Sequence, residues 1–459
     1  MSPSYNLPAE FKSNIQKLLG KEEGEELFEA IEEQAPRTSI RLNPHKITSA
    51  SFSGEKIPWS QNGYFLSERP SFTLDPTFHS GAYYVQESSS IFIEHILQTT
   101  DAPKGLYLDL CAAPGGKSTL LSSYLGHEGL LISNEVIKAR ASILKENIIK
   151  WGLGNTVVTN NDPAHFEVLE GAFDLVLIDA PCSGEGMFRK DPQARNEWSI
   201  DNVQICAARQ ERILDHAGAL VRAGGYLIYS TCTFNRQENE DNLRFLTNEF
   251  SYEPVRIPLQ EDWGIVESEE IIEDRTFYGY RFYPHKVAGE GFFITVLKRP
   301  ESSFFQNPKK TKDFKHPYIQ RANDTHVIRE VTGLGEEWFL YTLQDSYFAL
   351  QSEYRESFEW IVPYLNIRYF GIELGKLNKG QLIPSHEYAL STLSKSLFQT
   401  YALTKEGALS YLRKEEMVLD MEEEGWVMVT YEGLPLGWIK NIGNRINNYY
   451  PKDWRIRMK

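Results

Sequence analysis

Between residues 105 and 298 the chain repeats one unit: a short apolar run, a turn, then a segment with helical periodicity. The runs fall at 106–110, 130–133, 156–159, 173–178, 225–229 and 291–297. Runs this short, without polar alternation, read as strands buried on both faces. Helical patterns lie between them: one from Ser118, one through Ala139, Ile143, Leu144 and Ile148, one over about 201–221, and one through Asn242 and Phe245. Strand and helix in alternation predict a parallel, doubly wound α/β sheet. Open sheets of this kind bind ligands at the carboxyl ends of their strands. Function is therefore sought in the residues that follow each run.

A chain of 459 residues is too long for one such sheet alone, and about three domains are expected. Residues 1–100 read as a small N-terminal α+β subdomain that opens on a helix with Pro8 in its first turn and Phe11, Ile15, Leu18 and Leu19 on one face. The core spans 101–298. Residues 299–318, with Pro300, Pro308, Pro317 and a lysine cluster, read as a basic linker. A mixed middle domain is expected over 319–394. The last part, 395–459, is expected to end in a small β-hairpin or barrel, because 425–439 alternates apolar and polar residues about Gly433.

No apolar run approaches a membrane span, and the start lacks a basic segment followed by an apolar one, so neither a membrane nor a secretory address is expected. The four cysteines lack CxxC spacing, and no metal site is expected. A reducing cytoplasm fits thiols that must stay reduced. The net charge of −15 argues against non-specific coating of nucleic acid. Charge is unevenly placed, however. The tail carries Lys440, Arg445, Lys452, Arg455, Arg457 and Lys459 against Asp453, with Trp438, Tyr449, Tyr450 and Trp454 interleaved, a pattern suited to RNA.

The first strand leads into Asp109-Leu110-Cys111-Ala112-Ala113-Pro114-Gly115-Gly116-Lys117-Ser118. Small residues let the backbone approach a ligand, and the helix start offers unpaired N–H groups. Gly116-Lys117-Ser118 imitates the end of a phosphate-binding P-loop. That motif needs glycine where Cys111 stands, and Pro114 removes an N–H from the cradle, so a nucleotide hydrolase is excluded. Glu135 ends the second strand, where an acid can bind ribose hydroxyls or simply face a helix start. Asp162 follows the third strand and Asp179 ends the fourth. Three acids and a glycine loop at consecutive strand ends make a nucleoside-binding rim.

Two cysteines sit at strand ends as well, Cys182 in Asp179-Ala180-Pro181-Cys182-Ser183-Gly184 and Cys232 in Ser230-Thr231-Cys232-Thr233. Cys206 shares a helical face with Val203, Ala207, Ile213, Leu214 and Ala217 and reads as core. Cys111 can be packing beside its loop. Two turn-borne thiols at two such strand ends point to thiolate chemistry on a bound substrate. The residues alone leave open which of Cys182 and Cys232 attacks.

Cys111-Ala-Ala-Pro-Gly-Gly-Lys117, Asp179-Ala-Pro-Cys-Ser-Gly184 and Ser230-Thr-Cys232, in this order, resemble the Nop/Sun-type RNA cytosine-5 methyltransferases. The likeness covers roughly 100–298. It extends upstream to Arg37-Thr-Ser-Ile-Arg41-Leu-Asn43-Pro44 and Tyr84-Val-Gln86-Glu87-Ser-Ser-Ser90, which resemble that family's RNA-side elements. The long C-terminal part is similar to bacterial members that modify small-subunit ribosomal RNA and carry a PUA-like terminal domain.

The resemblance implies a Rossmann-like methyltransferase core and S-adenosylmethionine as methyl donor, held by Cys111, Ala112, Ala113, Pro114, Gly115, Gly116 and Lys117, by Glu135 at the ribose, Asp162 at the adenine and Asp179. It implies Cys232 as nucleophile on carbon 6 of cytosine, with Cys182 assisting elimination, Asp179 on the N3/N4 edge of the base, and Lys117 supporting the same site. The implied partner is ribosomal RNA or the small ribosomal subunit, met as a monomer. Transfer RNA as substrate, or a non-catalytic ribosome-assembly protein, are the alternatives.

Overall fold

The computed structural model describes residues 6–47, 54–301, 314–323 and 325–458. A ten-stranded sheet organises the molecule. Its centre is five parallel strands in the order Val221–Thr231, Phe173–Asp179, Leu106–Asp109, Leu130–Asn134, Thr156–Thr159. Alternate residues serve opposite faces. Leu106 and Leu108 pack with Ile132, Val176 and Leu227 on one side, and Tyr107 with Leu131, Leu175, Leu177 and Ile228 on the other. Helices cover both faces, which is why the runs lack polar alternation, and each buried side chain contributes roughly 1.5–3 kcal/mol.

The covering helices Gly116–Leu125, Lys138–Trp151 and Ile200–Ala217 fall where the periodicity predicts. Local chemistry sets their ends. Ser199 caps the last of them by accepting the N–H of Asn202 at 3.1 Å. Glu135 Oε1 accepts the N–H of Ile137 at 2.9 Å, at the head of Lys138–Trp151.

The sheet is mixed, which departs from the expected parallel order. Phe292–Lys298 runs antiparallel to Val221–Thr231, and Arg275–Phe282 and Val266–Ile272 extend that edge, also antiparallel. An apolar run specifies burial but carries no direction. Two successive reversals make this edge antiparallel: a tight hairpin at Glu273 and Asp274, both at positive φ, and the 283–291 connection that leads into Phe292–Lys298. At the far edge Ile367–Phe370, from the C-terminal half, pairs antiparallel with Thr156–Thr159.

Two helices, Ala9–Leu19 and Lys21–Glu33, precede a four-stranded antiparallel sheet in the N-terminal part. Its motif residues face inward. Arg41 is buried, donating from Nη2 to the Gly116 carbonyl (3.1 Å) and Thr119 Oγ1 (2.6 Å), and from Nε to Gln86 Oε1 (2.9 Å). Asn43 Nδ2 donates to the carbonyls of Gly81 and Trp151, 3.0 Å each. Arg41 docks the subdomain onto the helix that follows the glycine loop and Asn43 onto the end of Lys138–Trp151, and their burial leaves them no face for RNA.

Beyond 318 the chain forms a five-stranded sheet and then a four-stranded one. The expected hairpin is Gly425–Tyr431 with Leu434–Asn441, turning at Glu432 and Gly433. Two of the tail aromatics expected at RNA lie in the core instead: Trp438 is 1% and Tyr450 2% exposed. Trp454 is half-buried, while Tyr449 remains exposed against Trp426, with Lys440 over that indole. Of the expected basic linker, residues 302–313, with Lys309, Lys310 and Lys312, lie outside the described residues.

Candidate active site

Two neighbouring parallel strands deliver the cysteines. Their register pairs Asp179 with Ser230, and Ala180 donates its N–H to the Ser230 carbonyl at 2.9 Å, so both chains leave the sheet side by side. Cys182 and Cys232 follow at once, and their Sγ atoms lie 3.1 Å apart as free, partly exposed thiols. Two buried glutamates that sequence reasoning missed hold this approach. Glu185 Oε2 accepts from Thr233 Oγ1 (2.7 Å) and from the N–H groups of Phe234 (2.9 Å) and Asn235 (3.0 Å), while its Oε1 accepts from Trp198 Nε1 (3.0 Å). Glu238 Oε2 accepts from the Ser183 N–H (2.9 Å) and Gln210 Nε2 (2.8 Å), and Oε1 from Asn235 Nδ2 (2.7 Å). Each carboxylate thus sits on one cysteine loop and binds the other, a charge-assisted tie that can be strong when fully satisfied. The Cys232 carbonyl adds a third link, accepting the Gly186 N–H at 2.9 Å.

The hydrogen bond to Cys232, then burial, pushes the Cys182 thiol well above its ordinary range. Either sulfur can donate across the 3.1 Å contact, and with the proton held on Cys182 a thiolate at Cys232 would accept it. Lys117 Nζ lies 2.7 Å from Asp179 Oδ2, and Ser230 Oγ donates to Asp179 Oδ1 at 2.8 Å. Burial works against the charge on Lys117, but Asp179 first, then Asp109 and Cys232, more than offset it and hold the ammonium above its ordinary value. A thiolate at Cys232 would face one S–H donor and one fixed cation.

These groups open onto a cleft of about 480 Å³, within the ~300–1,000 Å³ range of small-molecule sites. Cys111, Ala113, Glu135, Asp162 and Asp179 line it, with Cys182 and Cys232 at one end. Glu135 is buried and pairs with Arg140 at 3.2 Å, so it serves both the helix start and the cleft wall. Asp162 pairs with Arg212 at 2.7 Å and caps Ala164. Burial pushes the Cys111 thiol up, which keeps it a neutral wall residue. Asp109, one residue before the lining begins, is fully buried; its Oδ2 accepts from Ser118 Oγ (2.7 Å) and its Oδ1 is without a partner. A cleft lined by three acids, with the unpartnered carboxyl oxygen of Asp109 next to its lining, fits S-adenosylmethionine, a nucleoside that carries cationic groups.

Ala112, Pro114, Gly115, Gly116 and Lys117 do not line the cleft. Gly115 has a φ of +116°, and a Cβ there would meet Leu144 at 3.2 Å. A Cβ on Gly116 would meet Tyr84 at 3.3 Å and Gln86 at 3.4 Å. Their lack of a side chain lets the Lys138–Trp151 helix and the N-terminal sheet pack closely on the loop. Cys206 is in the core, as its helical face predicts.

Three family models match in turn: the N-terminal domain of 16S rRNA methyltransferase RsmF over residues 7–88, 16S rRNA methyltransferase RsmB/F over 95–298, and the methyltransferase RsmF PUA domain over 398–456. The ribosomal RNA small subunit methyltransferase F of Pectobacterium atrosepticum is 31% identical over 98% of this chain and 96% of its own length. That of Shewanella piezotolerans is 29% identical over 91% and 90%. Among solved structures, a methyltransferase homologue from Pyrococcus horikoshii superposes with a TM-score of 0.53 at 27% identity, covering 65% of this chain and all of its own. NSun6 from the same organism, solved with SFG, shares the fold at 21% identity and a TM-score of 0.53, over 64% of this chain and 98% of its own. A relative matched almost end to end, with the motif cysteines brought into contact at the strand ends, makes this chain a member of the RsmB/F family of 16S rRNA methyltransferases.

Proposed function

We propose that the chain transfers a methyl group from S-adenosylmethionine to carbon 5 of a cytidine in small-subunit ribosomal RNA, through a covalent bond between Cys232 and the base. The observation that carries the reading is the 3.1 Å contact of two thiols beside the Lys117–Asp179 pair. Carbon 5 of cytosine is a weak nucleophile until a thiolate adds to carbon 6. Cys232 is placed for that addition, with the Cys182 S–H and the Lys117 ammonium stabilising its negative charge. Asp179, fixed by Lys117 and Ser230, offers a carboxylate to the N4 amino group of the base. S-adenosylmethionine, held by Cys111, Ala113, Glu135, Asp162 and the loop backbone, supplies an electrophilic methyl group. After carbon 5 loses its proton to a base, the carbon 6–sulfur bond breaks. Cys182, still protonated and already pointed at Cys232 Sγ, meets the departing thiolate with a proton. The cytidine must leave its stack to reach these groups.

The assay is transfer of labelled methyl from S-adenosylmethionine into small-subunit RNA, assembled small subunits and transfer RNA, with bisulfite sequencing of the product. Labelled 5-methylcytidine in the ribosomal substrate is expected. Labelling confined to transfer RNA moves the substrate, and failure to bind S-adenosylmethionine in calorimetry removes the enzyme reading altogether.

A further inference from the structure

Where the N-terminal subdomain, the 391–400 segment and the terminal hairpin meet, they enclose an open cleft of about 530 Å³. Lys46 and Lys395 line it, together with His45 and the hydroxyls of Thr392, Ser396 and Thr400. Both lysines are half-buried, and both are anchored by carbonyls. Lys46 Nζ donates to Ser80 O (2.7 Å) and Lys150 O (2.6 Å), and Lys395 Nζ donates to Ser391 O. Among the described residues neither makes an ion pair with a carboxylate. Burial pushes Lys395 down to about 7, and burial followed by the like charge of Lys395 pushes Lys46 well below its ordinary value. Two ammoniums drawn together without a counter-charge give up their protons more easily, and an anion that joined them would hold both in the charged form. The cleft stands apart from the cysteines. Lys150 and the Gly152 carbonyl, to which Thr392 donates its N–H at 2.9 Å, end the helix that runs back from the cysteine-bearing edge, so the cleft belongs to the opposite edge of the sheet.

We propose that this cleft binds a phosphodiester group of the RNA substrate, with the Lys46 and Lys395 ammoniums supplying the charge and the Ser396 and Thr400 hydroxyls the remaining donors. The proposal rests on the ribosomal RNA reading above and adds to it a second contact, remote from the target base. A phosphate bridging three parts of the chain would neutralise the lysine pair and fix the RNA with respect to all of them. A short oligonucleotide around the target cytidine would not span to this edge, whereas a long structured RNA would.

The test uses the full chain with Lys395→Gln, Lys395→Arg and Thr392→Glu, the last of which adds an anion while removing no native charge. Affinity for a long small-subunit RNA fragment is measured across 0.05–0.3 M salt, alongside methylation kinetics on that fragment and on a short oligonucleotide. Lys395→Gln and Thr392→Glu are expected to weaken long-RNA binding about fivefold, with the loss appearing in KM. For Lys395→Gln, the log–log salt slope should also fall by roughly 0.7–0.9. Lys395→Arg should restore both, and the short oligonucleotide should be handled equally by all. Wild-type affinity and slope in both weakened variants, with the wild type methylating the RNA, would overturn the cleft and leave the function standing. A wild type that methylates transfer RNA alone overturns the ribosomal reading instead, and the cleft is then judged by the same variants on that RNA. A melting shift with inorganic phosphate that Lys395→Gln abolishes, without any change in RNA binding, would make it a free-anion site and overturn the assignment. Weakened binding to assembled subunits but not to naked RNA would point to an acidic protein surface and overturn it too.

Discussion

The cysteine rim and the lysine cleft bury charge in opposite ways. At the rim Glu185 and Glu238 are buried anions whose oxygens are met by backbone N–H groups, an indole, a hydroxyl and side-chain amides. At the cleft the Lys46 and Lys395 ammoniums meet carbonyls and, for Lys395, the face of Tyr388, but among the described residues no carboxylate. Nearby, His386 is buried with both ring nitrogens unpartnered, between the rings of Tyr450 and Trp454. A closed network holds two sulfur atoms at one distance, which bond-making chemistry needs. An unclosed one has capacity left for a ligand. Charge at the rim therefore serves rigidity, and charge at the cleft serves attraction.

Substitutions can test that contrast, beginning with the sulfur atoms. Cys232→Ala should abolish methylation, by about a thousandfold or more, and yield no covalent RNA adduct. Cys182→Ala should accumulate the adduct on denaturing gels. The opposite pattern would exchange their roles. Next comes Glu238→Gln, which turns an acceptor into a donor facing Ser183, Gln210 and Asn235. It should lower stability by about 2–3 kcal/mol in denaturant melts and slow adduct formation. If stability is unchanged, the rim is not held by its buried carboxylates.

The two regions should also respond to pH with opposite signs. Burial, then the nearby Asp179 charge, raises Asp109 to about 7 against the pull of Ser118, so folding retains a proton that the unfolded chain releases. Its contribution is complete below about pH 4 and is lost as pH rises through 7. Burial, with Lys150, Lys46 and Lys414 nearby, lowers His386 to about 3, so the unfolded chain takes up a proton that the fold refuses. Stability from that site is present above about pH 6.5 and is lost as pH falls toward 3. In melts from pH 4 to 8, Asp109→Asn should remove the loss at the alkaline end and His386→Phe the loss at the acid end. Parallel pH curves for both variants and the wild type would contradict the assignment. The smallest effect is expected at Lys395→Gln, which should leave stability unchanged or raise it by about 1 kcal/mol, since it relieves a cation that has no counter-charge. A loss like that of Glu238→Gln would erase the distinction between the regions.

The parts legible in the sequence were those encoded locally. Apolar runs located all five central strands, and Cys182 and Cys232 were found because each lies within three residues of a strand end. Cys206 was placed in the core by its helical face alone. Glu185 and Glu238 carried no such signal, because their partners come from loops that approach only once the two strands are in register. The tail shows the converse failure. Basic and aromatic residues interleave there, yet interleaving does not say which side of a strand faces inward, and Trp438 and Tyr450 face the core. Arg41 and Gln86 looked like surface recognition residues, but a guanidinium can also close an internal junction when carbonyl, hydroxyl and amide acceptors all lie within reach.

The strand Ile367–Phe370 imposes an order in time. Its partner, Thr156–Thr159, is made roughly 200 residues earlier, and at 5–20 residues per second the nascent chain carries that Thr-Val-Val-Thr edge open for about 10–40 s. An open β-edge is a template for any passing strand. The methyltransferase sheet thus cannot be sealed until most of the polypeptide has left the ribosome, and a nascent chain halted near residue 300 would carry a finished cysteine rim beside an adhesive flank.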